Sequence, residues 1–130
     1  MTMDFDASRP IWHQLVHEFS RRIVVGDWRP GGRIGGVREL AGELGVNPNT
    51  VQRALAELER EGLCRSERTA GRYVTDDAGR ILALRRTMAA EAADEYIARA
   101  RGFGIARDDA TALITQRWTS DDRDTSDARA

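Results

Sequence analysis

This chain has no lysine, a single cysteine and only two histidines among 130 residues. Each scarcity removes a class of chemistry. One cysteine, Cys64, cannot close an internal disulfide, which suits a reducing compartment. His13 and His17 stand four apart and would share one helix face, but no carboxylate or further cysteine is placed to complete four metal ligands. No nucleophile, base and oxyanion stabiliser assemble in the sequence, so an enzyme is not expected. Long apolar runs are also missing: none approaches the roughly 18 residues of a membrane span. The start, MTMDFDASRP, is acidic and then polar, unlike a secretory leader, so a cytoplasmic protein off the membrane is expected. Bulk charge of one sign is lacking too. The net charge is −1, with 11 arginines against 10 acids in residues 1–75 and 9 against 11 in residues 76–130. Any nucleic-acid surface must therefore be a local patch, built from arginine. That side chain suits bidentate contact with phosphate and guanine.

About two fifths of the chain is hydrophobic, and it falls into periodic segments. Ile11, Trp12, Leu15, Val16, Phe19 and Ile23 share one face of a helix running from Pro10 to about Gly26, with Ser8 as its cap. Gly26, Pro30, Gly31 and Gly32 then break the pattern. Val37, Leu40, Ala41 and Leu44 stripe a short second helix, ended by Gly45. Asn47 caps a third helix, with Pro48 in its first turn. Val51, Ala54, Leu55 and Leu58 form its stripe, and Gly62 ends it. Two short apolar stripes joined by Gly45-Val46-Asn47 make a helix-turn-helix. Residues 63–67 and 71–74 read as two strands around Arg68-Thr69-Ala70, a hairpin placed as a wing.

The chain is helical again from about Asp77, with Ile81, Leu84, Met88, Ala92 and Tyr96 in one long stripe. Gly102 and Gly104 interrupt it. A last helix covers about Arg107 to Trp118, with Ala110, Leu113, Ile114 and Trp118 on one side. The polar end, TSDDRDTSDARA, predicts disorder. The organisation expected is thus mainly α with a small β-wing: a winged helix-turn-helix domain over residues 1–75, a short two-helix dimerisation region over 76–118 and a tail over 119–130. Two helices bury two apolar stripes poorly without a partner, and two-fold symmetry is the default for oligomers. The dimer interface is therefore assigned to Ile81, Leu84, Met88, Ala92, Tyr96, Leu113, Ile114 and Trp118.

The third helix carries the chemistry. Asn49, Gln52 and Arg53 lie in its first turns, off the buried stripe, with small Ala56 beyond them. A helix in the major groove reads with its N-terminal residues. Asn and Gln pair with adenine there, and Arg with guanine O6 and N7. Free amides at Pro48–Asn49–Thr50 suit a phosphate. The competing readings are an ordinary solvated face for Gln52 and Arg53, a local pair with Glu39 or Glu43 for Arg38, and a small buried hydrophobe for Cys64.

The stretch PGGRIGGVRELAGELGVNPNTVQRALAELEREGL closely resembles the DNA-binding domain of GntR-family transcription regulators. VNPNTVQRA, the two-helix tail and the length resemble the YtrA subfamily. The resemblance covers about residues 9–118. It implies a homodimeric repressor of double-stranded DNA on a palindromic operator, without a cofactor, in a subfamily that often controls membrane-transporter operons. It also implies DNA contact by Arg38 on the second helix, by Asn47, Asn49, Thr50, Gln52 and Arg53 at the start of the third, and by Arg68 and Arg72 in the wing. The chain departs from the family at Ile34-Gly35-Gly36, where Leu-Pro-Ser or Leu-Pro-Thr is usual, and at Thr69-Ala70-Gly71, where Gly-x-Gly is common. The alternative is a winged helix used for protein interaction, without DNA readout.

Overall fold

Helix α1, Ile11–Val25, is the element around which the first half of the chain is built. The computed structural model describes residues 3–68 and 71–129, with side chains described as far as Asp122. Leu15, Phe19 and Ile23 of α1 are fully or almost fully buried. Its cap is not the expected one. Pro10 occupies the N-cap and no side chain caps the helix. Ser8 Oγ instead donates to Asp6 Oδ1 at 2.6 Å. The segment before α1 is tied down by Gln14, whose amide donates to Asp6 O at 2.7 Å and accepts from Asp6 N at 2.9 Å.

Helix α2, Val37–Leu44, and helix α3, Pro48–Arg60, form the expected helix-turn-helix. Gly45 stands between them at φ 71, a left-handed backbone that a Cβ disfavours. Its N–H and that of Val46 both reach Ala41 O, at 2.9 and 3.1 Å. Asn47 caps α3: its Oδ1 accepts from Asn49 N at 2.8 Å. Gly36 precedes α2 without a side-chain cap bond. Leu40, Ala41 and Leu44 from α2 meet Val51, Ala54, Leu55 and Leu58 from α3 in one core with α1.

Three strands lie among the described residues, one more than the two expected. Strand β1, Arg33–Ile34, pairs antiparallel with β3, Gly71–Val74, which also pairs with β2, Cys64–Glu67. The order β1-β3-β2 makes β3 central. Ile34, Cys64 and Val74 turn into the helical core. Thr69 and Ala70 of the expected wing tip lie outside the described residues.

One ion-pair cluster braces α1 from outside. Arg21 Nε and Arg22 Nε each donate to Glu18 at 2.9 Å, and Arg22 Nη2 reaches Glu43 at 3.0 Å. Arg22 also lies 5.6 Å from the Trp28 ring, which stacks on Phe19. The hydrogen bond from Arg21 above all, then that from Arg22, holds the Glu18 carboxyl below its ordinary range, against the opposing effect of its burial. A depressed carboxyl pKa stabilises the fold above the unfolded value and loses that contribution as pH falls through the folded one. Glu18→Gln should therefore cost about 1–2 kcal/mol at neutral pH. It should also blunt the loss of stability below about pH 4.5, the ordinary value for this group. Denaturant melts of both proteins at pH 7 and pH 3.5 check this. An equal difference at the two pH values would contradict it.

The chain divides into two compact units, Met1–Arg86 and Thr87–Ala130, not at residue 75. Helix α4, Ala78–Gly102, starts in the first unit. Asp77 Oδ1 accepts from Gly79 N and Arg80 N at 3.0 and 3.2 Å, capping its first turn. Ile81, expected at a dimer interface, is 6% exposed within the N-terminal core, and Leu84 packs partly buried against the same core. The α4 stripe is therefore shared, its first turns completing the first unit.

The second unit holds the rest of α4 and α5, Arg107–Arg129. Tyr96 Oη donates to Ala110 O at 3.3 Å between the two helices. The final segment was expected to be disordered from residue 119, but α5 continues as helix to Arg129. Its hydroxyls turn back onto the helix itself: Thr119 Oγ1 donates to Thr115 O and Ser120 Oγ to Gln116 O, at 3.0 and 3.1 Å. Among the described residues no helix is long and apolar enough to cross a membrane.

Candidate nucleic-acid interface

The exposed side of α3 gathers what the sequence reading picked out. Burial of Val51, Ala54, Leu55 and Leu58 turns Asn49, Gln52, Arg53 and Ala56 outward. Thr50 is half-buried at the edge of that face. Arg38 is exposed on the first turn of α2, and Arg68 is exposed just after β2. Neither makes an ion pair among the described residues, so neither joins the structural salt bridges of this chain. Asn47 differs from its neighbours, because its side-chain oxygen caps α3 while its amide N–H groups stay available.

Two contacts join the site to the rest of the fold, and neither was legible in the sequence. The Arg53 guanidinium lies over the Trp12 ring of α1, 4.2 Å from its centroid. A stacked guanidinium keeps its in-plane N–H donors free, so the stack orients the fork without consuming it. The second contact crosses from sheet to helix: Arg72 Nη1 donates to Gln52 Oε1 at 3.2 Å. Arg72 sits on central β3, opposite Ile34 on one side and Ser66 on the other. Its Nε is buried and has no hydrogen-bond partner among the described residues. Arg68 and Arg72 therefore differ, the first an open cation at the wing and the second a half-enclosed one engaged with α3.

Glu57, the acidic side chain next along α3, is paired with Arg60. The hydrogen bond from Arg60 is the main reason its carboxyl lies below its ordinary range. That pairing offsets an anion that would otherwise sit beside the candidate DNA face.

The other candidate groups separate from this face. Burial pushes the Cys64 thiol up to about 11, and its Sγ donates to Leu55 O at 3.7 Å. A thiol so held is almost entirely protonated at neutral pH and is a core residue rather than a nucleophile. His13 is edge-on to Trp12, and no cluster of three metal-ligating side chains occurs among the described residues.

The second unit exposes apolar side chains in quantity. Met88 and Tyr96 are half-buried and Ala92 is exposed. Leu113 is exposed, Ile114 is 46% exposed and Trp118 69%. Ile97 and Phe103, missed in the sequence, are also exposed. Ile97 stands off the Met88–Ala92–Tyr96 row by which the stripe was traced, and Phe103 follows just beyond the end of α4 at Gly102.

Comparison with known proteins gives a consistent picture. The chain matches the model of the bacterial regulatory proteins of the gntR family over residues 12–74. Its structure resembles that of a GntR family transcriptional regulator from Listeria monocytogenes, with a TM-score of 0.79 and 38% identity, covering 86% of this chain and 98% of that one. It is 38% identical over 76 residues to the HTH-type transcriptional repressor YtrA of Bacillus subtilis, 58% of each chain. It also resembles the AraR DNA-binding domain solved in complex with operator ORX1, with a TM-score of 0.50 and 26% identity, covering 58% of this chain and 92% of that one.

Proposed function

Because this chain belongs to the gntR family of bacterial regulatory proteins, with the winged-helix DNA-binding domain of its transcription regulators, we propose that it is a cytoplasmic repressor that binds a palindromic operator as a homodimer. Each protomer lays α3 in the major groove of one half-site, where its first turns reach the base edges. Arg53 and Asn49 read bases, Gln52 reads beside them, and Arg38, Thr50 and the α3 amides hold phosphates. Occupancy of a promoter excludes polymerase. The observation that carries this reading is the split of α3 itself, with one face wholly in the core and the opposite face polar, cationic and exposed.

The homodimer is supported by the exposed apolar surface of the second unit, centred on Tyr96, Leu113, Ile114 and Trp118 with Met88 and Ala92 beside them. Single exposed hydrophobics are ordinary; a contiguous group of this size marks an interface. The repressor sense is supported by the likeness to YtrA, and the operator by the likeness to a domain solved on one.

Arg68 supplies affinity and not sequence choice. Arg68→Ala should weaken binding to every duplex by a similar factor and reduce the slope of log affinity against log salt by about one. Fluorescence anisotropy over a salt series checks this. An unchanged slope removes Arg68 from the interface.

A further inference from the structure

We propose that Arg72 sets the base preference of Gln52. By holding the Gln52 amide oxygen from the sheet, it makes Gln52 present N–H groups to the groove and select guanine. The proposal rests on the reading that α3 lies in the major groove.

An unrestrained glutamine offers both an acceptor and a donor and pairs bidentately with adenine, taking N6–H on its oxygen and giving N–H to N7. Here that oxygen already accepts from Arg72 Nη1 at 3.2 Å. Arginine has only donors, so the opposite amide orientation would set donor against donor. The amide nitrogen must therefore face away from the wing. Arg72 is poorly free to release it: Arg72 is half-buried on central β3, and its Nε is enclosed by the fold. Gln52 itself is exposed.

The groove edges then rank by their acceptors. Guanine shows two, N7 and O6, which both hydrogens of the amide nitrogen can use. Adenine shows N7 but sets its own N6–H donors against the amide. Thymine shows O4 alone, and cytosine shows a donor. Arg72 is thus a positioning residue for specificity, acting through Gln52 without touching DNA.

The test is selection from a randomised duplex library, followed by sequencing, using the full chain as wild type, Gln52→Ala, Arg72→Met and Arg72→Lys. The position whose preference disappears in Gln52→Ala is the one Gln52 reads, and guanine is expected there in wild type. Arg72→Met keeps the unbranched stem but loses the donor. It should raise acceptance of adenine at that position at least tenfold relative to guanine, while Arg72→Lys retains guanine. Adenine at that position in wild type overturns the proposal without any need for the Arg72 variants to fold. So does an Arg72→Met protein that binds more weakly but still prefers guanine. If Gln52→Ala leaves every preference intact while the wild type still enriches a motif, Gln52 reads nothing and this proposal alone falls. If the wild type enriches no motif, the groove reading falls and the proposal with it.

Discussion

Ile114→Asp is expected to turn the proposed dimer into a monomer and to lower affinity for a full operator by two to four orders of magnitude. Ile114 is 46% exposed in the single chain and lies near Trp118, one turn on, which is 69% exposed. A carboxylate there costs the isolated fold little, since surface changes usually stay within about 0.5 kcal/mol. In a two-fold interface the same change places two charges in an apolar contact. Binding of one half-site then no longer brings the second α3 to its own half-site at high effective concentration, a gain worth 10²–10⁴-fold. Affinity for an isolated half-site should not change. Sedimentation equilibrium and titration of full and half operators report the two effects separately. A variant that sediments as wild type would place the interface elsewhere.

Arg53→Ala is the second large effect. If its fork reads guanine, each half-site loses on the order of 1–3 kcal/mol, so a two-half-site operator loses roughly 30-fold to 20,000-fold. The preference at one symmetric pair of positions should relax at the same time. The Trp12 stack adds a smaller loss of stability, about 0.5–1 kcal/mol at an exposed site. Trp12→Leu isolates that contribution: it should share the stability loss but keep most of the sequence preference, because the guanidinium remains. Titration against operators changed one base pair at a time decides the matter. If Arg53→Ala weakens all of them equally, Arg53 holds a phosphate.

How much of this was legible in the sequence depends on whether a feature is local. The helix-turn-helix was, because apolar spacing, Gly45 and the Asn47-Pro48 start act within a few residues. The exposure of Asn49, Gln52 and Arg53 followed from the same spacing. Strand β1 was not: two residues have no period, and Arg33–Ile34 becomes a strand only by pairing with β3. The Arg53–Trp12 and Arg72–Gln52 contacts join segments far apart in the chain, and nothing in either segment names the other. Ile81 shows a different limit. Periodicity revealed the α4 stripe but not its cover, and its first turns are covered by the N-terminal core. The helical end of α5 was missed because its polar composition reads as disorder, whereas α5 runs on to Arg129 without an apolar stripe there.

In the proposed function the exposed start of α3 reads base sequence. The most direct measurement is the affinity of the full chain for an inverted repeat drawn from the DNA upstream of its own coding region, against a scrambled duplex of equal length and composition at one stated salt concentration. The expected result is at least a thousandfold preference for the repeat, with two chains bound per duplex. Equal affinity for both duplexes would contradict it.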